Sequence, residues 1–309
     1  MRIAILGATS QIAKDLVLSF STKKENELVL FGRNTEIVYQ WLSSVGLTGR
    51  YQVSDYAKFT VNEQFDAIIN FVGSGNPAQT AAMGALILDV TLRYDEMVLN
   101  YLQHNQYCKY IFLSSGAVFG SNFDEPVDEN TKALIPINNL QPQNWYAVSK
   151  LYAECRHRAS PHLHIVDVRI FNYFSHTQDM SARFFITDIV RAIEIGETLI
   201  TSADNIVRDF IGPKDFYQLV SLILVAPPIN NVFDCYTQAP VDKMTLLLNM
   251  KEKFGLAYEV SVMPVGVNAT GLKINYFSKN RRAGMFRYEP SMNSLESVLT
   301  EVRLAKKYI

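Results

Sequence analysis

The chain has 309 residues, of which 48% are hydrophobic and 19% charged, and its formal net charge at pH 7 is −1. This length is enough for one large domain or two smaller ones, and the near-neutral charge argues against a nucleic-acid-binding protein. No apolar run is long enough to span a bilayer, no secretory signal is recognisable and the three cysteines are scattered, so we expect a cytoplasmic protein without a metal site.

In the first half, six short apolar runs alternate with helical patterns. The predicted strands are residues 2–6, 27–31, 51–54, 66–72, 109–115 and 164–171. Runs such as IAIL and AIINFV are apolar on both faces, which is typical of parallel strands covered by helices on both sides. The alternation predicts an α/β fold with a Rossmann-like, doubly wound parallel sheet.

Beyond residue 171 the alternation loosens. We predict a helix over residues 181–196, a short strand around LITS, a helix over 213–225 and a strand in NVFDCYT, residues 231–237, that returns to the main sheet. The expected division is therefore a first domain over residues 1–170 plus the returning strand, and a smaller mixed domain over 171–309.

The opening stretch LGATSQIAKDL has the rhythm of a dinucleotide-binding turn. Gly7 holds the first glycine position of that turn, but Ser10 and Ala13 stand at the second and third. Alanine still allows close packing of helix and strand, and the Ser10 hydroxyl can cap the helix or donate to a phosphate. Alone, the pattern fits a cofactor turn or an ordinary strand–helix connection. The candidate cofactor residues are Gly7, Thr9, Ser10, Gln11 and Ile12.

The end of the second strand reads LVLFGRN, with Arg33 and Asn34 where an NAD-binding site carries an acidic residue for the ribose 2′-hydroxyl. No carboxylate occurs before Glu36. Since an arginine can accept a 2′-phosphate, the sequence favours NADP(H) over NAD(H). The alternative is that Arg33 is a solvated loop charge.

The stretch NWYAVSKLYAE places Tyr146 and Lys150 four residues apart, on one face of a predicted helix. This spacing is common by chance, but the pair follows a strand that ends in SSGAVFG and lies downstream of the opening turn. The position of the pair in the chain is therefore stronger evidence for a catalytic role than its spacing.

With these motifs in order, the whole chain resembles the extended short-chain dehydrogenases/reductases that act as nucleotide-sugar epimerases, dehydratases and reductases. The motifs that carry the resemblance are GATSQIA, VSDY, FVGSG, SSGAVFG, YAVSK, RIFN, RDFIGPKDF and RRAG. The resemblance implies an NAD(P)-binding domain over residues 1–170 and a mainly substrate-binding domain over 171–309. It also implies a nucleotide-diphosphate sugar as substrate, and such relatives commonly form homodimers.

The resemblance makes Ser115, Tyr146 and Lys150 a catalytic triad. Tyr146 would exchange a proton with a sugar oxygen, Lys150 would stabilise its phenolate and hold the nicotinamide ribose, and Ser115 would bond the reacting oxygen. The other implied cofactor residues are Asp55, Tyr56, Phe71, Val72, Gly73 and Phe171, and the implied substrate residues are Ser115, Asn172, Arg208 and Arg282.

Several of these assignments have simpler alternatives. Asp55 could cap a turn, Asn172 could satisfy loop backbone and Arg282 could be a surface charge. The chain also departs from the family pattern, since Thr91 replaces a structural Asn and RIFN runs into YFSHTQD without the usual Gly-Pro. The aromatic residues near the C-terminus, including Tyr276 and Tyr288, are interpreted as core packing rather than as substrate contacts.

The residues after Ser115 reduce the number of reactions of the family that this chain could catalyse. Dehydratases of the family carry an Asp-Glu pair where this chain has Gly116-Ala117, and the 3,5-epimerising relatives need a cysteine where Ala117 stands, although His176 lies near the position of their histidine. We therefore expect an NADP(H)-dependent reductase of a 4-keto nucleotide sugar. The alternatives are an NAD-dependent nucleotide-sugar 4-epimerase and a non-catalytic NADP-sensing protein. His157, His162 and His164 have no carboxylate at ligand spacing, so no metal is assigned.

Overall fold

The computed structural model describes residues 1–23, 25–73, 80, 82–142, 144–182, 184–261 and 273–305. These residues form eight α-helices: α1 Gln11–Ser21, α2 Thr35–Ser44, α3 Leu86–His104, α4 Asn144–Arg158, α5 Phe185–Ile195, α6 Pro213–Val225, α7 Lys243–Phe254 and α8 Ser294–Ala305. No described helix combines the length and the apolar character that a membrane crossing requires.

Seven strands form the central sheet, in the order β11-β6-β5-β4-β1-β2-β3, and every pair is parallel. They are β1 Arg2–Leu6, β2 Glu27–Phe31, β3 Gln52–Ser54, β4 Ala67–Asn70, β5 Lys109–Ser115, β6 Ile165–Ile170 and β11 Asn231–Asp234. The predicted doubly wound sheet is confirmed, including the returning strand beside β6. Strand order reverses at β1, so a crevice opens beyond the carboxyl ends of β1 and β4.

The other strands are short: β7 Asn172–Tyr173, β8 Leu199–Ser202, β9 Val207–Arg208, β10 Phe210–Ile211, β12 Val241–Asp242, β13 Tyr258–Ser261 and β14 Asn275–Tyr276. They form three small sheets, β10-β7, β12-β9-β14 and β13-β8. Residues from α5, α7 and α8 bury a separate apolar cluster that includes Ile189, Leu247 and Val298. The second half thus has a core of its own, and the proposed boundary at residue 170 stays a prediction.

Gly7 forms the tight turn between β1 and α1. Its φ is +77°, and a Cβ atom there would lie 2.9 Å from the backbone of Phe71 and Val72. Any other residue would therefore strain the backbone and push the turn away from the end of β4. The motif predicts a tight turn at Gly7, and the close contact with the end of β4 is a second reason for glycine at this position.

A buried polar cluster joins α4 to its neighbours. The His157 ring bonds Asp167 through Nδ1 at 2.6 Å and Asp95 through Nε2 at 2.7 Å, and Arg158 bonds the second oxygen of Asp167 at 2.7 Å. Because a carboxylate only accepts hydrogen bonds, both ring nitrogens must donate, so His157 is an imidazolium. Burial acts to lower its pKa, but the two aspartates raise it to about 9.

A second buried carboxylate, Asp15 of α1, has only neutral partners. It accepts hydrogen bonds from the Tyr173 hydroxyl at 2.8 Å, from the Thr177 hydroxyl and from the Gln11 amide, which also bonds Thr177. Burial raises the pKa of Asp15, and these hydrogen bonds act in the opposite direction. The helix that follows the Gly7 turn is therefore fastened to the loop after β7.

Candidate active site

Ser115, Tyr146 and Lys150 meet at the carboxyl end of β5. Ser115 is the last residue of that strand, and its hydroxyl accepts a hydrogen bond from the amide of Ala117 at 3.2 Å. Tyr146 and Lys150 lie in the first half of α4, which packs beside the same strand end. The structure thus brings the three predicted catalytic residues together.

The Lys150 ammonium is buried and donates to the carbonyl of Leu113 at 2.8 Å. It also lies 4.3 Å from the centre of the Phe112 ring and 6.0 Å from that of Tyr146. Burial lowers the pKa of Lys150 to about 8, against the opposing effect of nearby buried carboxylates. The ammonium is poised to lose or share a proton near neutral pH.

The Tyr146 phenol is half-buried. Burial raises its pKa, and the hydrogen bond with Ser115 acts to lower it. Tyr146 is therefore a neutral phenol near neutral pH. The role predicted for Lys150, to stabilise the Tyr146 phenolate, stays a prediction; its ammonium lies 6.0 Å from the centre of the Tyr146 ring.

The end of β4 faces this group. Gly73 has a φ of +145°, and a Cβ atom there would lie 3.6 Å from the Lys150 ammonium. The Val72 amide donates to the Asn70 side chain at 2.9 Å, which fixes the backbone just before Gly73. Phe71, Val72 and Gly73, predicted to line the cofactor, therefore lie between the Gly7 turn and Lys150.

The residues on the adenosine side are arranged around the Gly7 turn. The Gly7 amide donates to the Tyr56 hydroxyl at 2.9 Å, and Asp55 caps the short helical turn that follows by accepting from Ala57. Arg33 is exposed at the end of β2, and the side chain of its neighbour Asn34 caps α2. Asp55 thus has the turn-capping role considered as its alternative, its cofactor contact stays a prediction, and Arg33 is exposed to a ligand.

Ser10 occupies the capping position of α1, but its side chain makes no capping hydrogen bond. Thr9 beside it is exposed, and Gln11 and Ile12 are half-buried in the first turn of the helix. One of the two roles predicted for the Ser10 hydroxyl is therefore absent, and the role of phosphate donor stays open. The glycine turn, the end of β4 and Lys150 together fit an extended dinucleotide laid across the strand ends.

Three predicted substrate residues converge on Tyr276. The Asn172 amide donates to the Tyr276 carbonyl at 3.0 Å, Ser115 lies 3.4 Å from the Tyr276 hydroxyl, and the Arg208 guanidinium lies 5.9 Å from its ring centre. Asn172 therefore also has the backbone role considered as its alternative. Arg282 lies elsewhere, exposed at the start of the helical turn Arg282–Phe286, where its charge acts on the pKa of Asp234.

Tyr276 and Lys273 also lie at this site, although neither is predicted as a site residue from the sequence. Tyr276 was interpreted as core, and it is buried, but its hydroxyl faces the catalytic serine. The Lys273 ammonium lies 4.3 Å from the Tyr276 ring centre. The signal that could have found them is weak: a lysine in the stretch KINYF, which follows eleven residues without a carboxylate.

Arg208 and Lys273 are two cations without an acidic partner in the described chain. Both are half-buried. Burial lowers the pKa of Arg208 to about 10. Burial and the nearby charge of Arg208 lower the pKa of Lys273 to about 8. Two cations held together without a carboxylate form a place for an anion.

Gly116 is held against Phe171. A Cβ atom on Gly116 would lie 2.3 Å from the Phe171 ring, so no larger residue fits there. The aspartate that dehydratases carry at this position would clash. Phe171 itself is buried and packs 5.3 Å from Tyr276, so its predicted cofactor contact stays a prediction.

The Thr91 hydroxyl is buried without a hydrogen-bond partner in the described structure, and His176 bonds Glu301 at 2.7 Å. Within the described residues no cluster of His, Cys, Asp and Glu has metal-binding geometry.

Comparison with known proteins gives a family and a fold. Residues 3–234 match the model of the NAD dependent epimerase/dehydratase family. Among solved structures, the fold is similar to that of a UDP-glucuronic acid 4-epimerase from Bacillus cereus in complex with UDP-glucuronic acid and NAD, with TM-score 0.80, 15% identity and 100% of both chains covered.

Two further solved structures are similar in fold. A UDP-glucose 4-epimerase from Thermotoga maritima, solved with UDP-glucose, has TM-score 0.78 and 17% identity and covers 100% of this chain and 99% of its own. A dTDP-glucose 4,6-dehydratase from Bacillus anthracis in complex with NAD has TM-score 0.77 and 15% identity and covers 99% and 97%. A search of curated protein sequences finds no significant match.

Proposed function

The chain belongs to the NAD-dependent epimerase/dehydratase family, and we propose that it moves a hydride and a proton at one carbon of a nucleotide-linked sugar. The observation that carries this proposal is the meeting of Ser115, Tyr146 and Lys150 at the end of β5, opposite the end of β4. This arrangement supplies an acid–base group within reach of a cofactor crevice.

A bound dinucleotide would be held at the carboxyl ends of β1 and β4. Gly7 would provide the tight turn that leads into α1, Val72 and Gly73 would line the cofactor, and the Lys150 ammonium would hold the ribose hydroxyls on the nicotinamide side. When bound, the nicotinamide ring supplies or accepts the hydride.

In the proposed reaction, Tyr146 exchanges the proton. Because its pKa is raised by burial, the phenol starts protonated and donates to a carbonyl oxygen in the direction of reduction. Ser115 holds that oxygen. Lys150, with a pKa of about 8, replaces the proton lost by Tyr146 or stabilises the phenolate as the carbonyl carbon takes the hydride and its oxygen takes the proton.

Arg208, Lys273 and Asn172 are proposed to hold the diphosphate of the substrate. The two cations lack a carboxylate among the described residues, and a diphosphate brings the missing negative charge. The sugar would then extend past Tyr276 toward Ser115. Arg282 is exposed and lies apart from the residues around Tyr276, so its predicted role in phosphate binding would require its side chain to reach the substrate from the surface.

The reaction favoured by these features is 4-epimerisation, that is, oxidation and re-reduction at C4. It needs one acid–base group, which would accept the proton of the C4 hydroxyl in the oxidation and return it in the re-reduction; Tyr146 would serve as phenolate in the first step, stabilised by the Lys150 ammonium, and as phenol in the second. The proteins of similar fold named above include two 4-epimerases, one for UDP-glucuronic acid and one for UDP-glucose. Removal of water by an Asp-Glu pair is disfavoured because Gly116 has no room for a carboxylate.

NADP(H)-dependent reduction of a 4-keto nucleotide sugar is the second candidate, favoured by the exposed Arg33 at the end of β2. The two candidates differ in how they hold cofactor. Denaturing the purified protein should release nearly one equivalent of NAD from an epimerase. A protein that releases none and prefers added NADPH would be the reductase.

The catalytic assignment is tested with Tyr146→Phe, which removes only the phenol oxygen. We expect kcat to fall by about 10² to 10⁴ while the affinity for NAD(P), measured by fluorescence, is unchanged. Tyr152→Phe is the matched control, because Tyr152 is an exposed tyrosine on the same helix. Unchanged turnover in Tyr146→Phe would refute the assignment, and cofactor binding without any turnover in the wild type would favour the NADP-sensing alternative.

A further inference from the structure

The Ser115 hydroxyl has one proton to donate and two lone pairs to accept with. The amide of Ala117 donates to it at 3.2 Å, which uses one lone pair. The Tyr276 hydroxyl, 3.4 Å away, is the second neighbour. A bond of this length is long, as catalytic hydrogen bonds often are before substrate binds.

Either hydroxyl of the pair can donate, because the Ser115 hydroxyl and the Tyr276 phenol each carry a proton. Burial raises the pKa of the Tyr276 phenol, so it stays protonated at working pH. When the phenol donates to Ser115, both lone pairs of the serine oxygen are filled, and the serine proton points away from Ala117 and Tyr276.

We propose that Tyr276 donates to Ser115 and is thereby a positioning residue, which fixes the serine as a hydrogen-bond donor toward Tyr146 and the reacting oxygen. The inference rests on the proposed function for its catalytic consequence, but its geometry is independent of the substrate. It assigns to Tyr276 a role in the reaction instead of the core packing that its sequence suggested.

The Tyr276 ring is held firmly enough for this role. Phe123 packs edge-on at 4.7 Å between ring centres, Phe171 packs at 5.3 Å, and the Asn172 amide bonds the Tyr276 carbonyl. The backbone pairs with β9, where Tyr276 stands opposite Arg208. Contacts on the ring, the backbone and the hydroxyl thus define one position.

The two cations on the ring strengthen the donor. The Lys273 ammonium lies 4.3 Å and the Arg208 guanidinium 5.9 Å from the ring centre. A cation over an aromatic face draws electron density from the ring, and a phenol so placed gives up its proton to a hydrogen bond more readily. The anion site and the catalytic serine are therefore linked through one side chain.

The test is a double-mutant cycle of Tyr276→Phe and Ser115→Ala, which both keep the packing of the site. We expect Tyr276→Phe to lower kcat roughly three- to tenfold with little change in KM, as for one lost hydrogen bond. In the Ser115→Ala background the same change should have no further effect. Equal losses in both backgrounds, or no loss in either, would overturn the proposal.

A second measurement does not need a substrate. The titration of Tyr146 is followed by phenolate absorbance. The absorbance of the matching Tyr146→Phe variant is subtracted at each pH, so that only the signal of Tyr146 remains. Tyr276→Phe should raise the pKa of Tyr146 by about half a unit, because a less well-aligned Ser115 stabilises the phenolate less. The shift should vanish when Ser115 is alanine.

Tyr288→Phe is the control for loss of a buried phenol. Its hydroxyl bonds the Tyr236 carbonyl at 2.8 Å, away from Ser115, so it should lower stability without moving the pKa of Tyr146. If no nucleotide sugar is turned over by the wild type, the proposed function fails, and the titration alone decides on Tyr276. An unshifted titration in Tyr276→Phe contradicts the positioning role.

Discussion

Two groups of charges in this protein differ in how they are neutralised. Under α4, the His157 imidazolium lies between the carboxylates of Asp95 and Asp167, which also accept from neighbouring arginines. Around Tyr276, the described structure gives Arg208 and Lys273 backbone carbonyls and aromatic rings as partners but no carboxylate, and residues 262–272 contain none in their sequence. Charges paired within the chain stabilise the fold, whereas unpaired cations leave a site for something from outside.

The contrast is tested most severely at His157. Replacing it by leucine leaves two buried carboxylates facing an apolar side chain, and we expect a loss of about 3 to 5 kcal/mol in the free energy of unfolding. His162→Leu is the matched control, because His162 is exposed in the next loop. Urea unfolding measures both, and a His157→Leu loss as small as the control's would mean that the cluster is not held by its charges.

Replacing an unpaired cation by an apolar residue should weaken ligand binding without lowering the stability of the protein. Lys273→Met should weaken binding of a nucleoside-diphosphate sugar about tenfold, since one charge-assisted contact to phosphate is lost. It should leave the unliganded protein as stable as the wild type or up to about 1 kcal/mol more stable, because an unpaired charge is no longer desolvated. Calorimetry measures the affinity, and Lys279→Met, at an exposed lysine of the same segment, is the control. Unchanged affinity in Lys273→Met would remove this residue from the site.

The pH dependence of stability gives a smaller but independent comparison. The pKa of His157 is raised from 6.5 to about 9, so its stabilising contribution is full below pH 6.5 and is lost as pH rises through about 9. The pKa of Lys273 is lowered from 10.5 to about 8, so its cost is full below pH 8 and is relieved as pH rises toward 10.5.

The two variants should therefore approach the wild type from opposite sides as the solution becomes alkaline. Below pH 6.5, His157→Leu should be less stable than the wild type, and Lys273→Met should be no less stable. Both gaps should narrow above pH 8, as measured by urea unfolding across the pH range. A His157→Leu gap that stays constant from pH 6 to 10 would contradict the imidazolium assignment.

The first half of the fold was predictable because its signals are local. Strands β1 and β4 are apolar on both faces, Gly7 follows the first of them directly, and Tyr146 and Lys150 stand one turn apart on a helix with the expected neighbours. Each feature is read within a window of a few residues. The order of the motifs then placed Ser115 beside them, as the structure does.

The remaining features depend on contacts between distant parts of the chain. Tyr276 meets Ser115 across 161 residues, through the pairing of two-residue strands that carry no periodicity. His157 showed no carboxylate at ligand spacing, yet Asp95 lies 62 residues before it and Asp167 ten after. Such pairs are set by the packing of whole elements, and a window along the sequence does not contain them.

Asp15 has a consequence for how the protein is made. The hydroxyl groups that bond it come from Tyr173 and Thr177, which are synthesised 158 and 162 residues later. Until they emerge from the ribosome, the Gln11 amide of the same helix is the side-chain partner that remains for this carboxylate. The amino-terminal half alone therefore lacks two of the three side chains that bond this buried carboxylate.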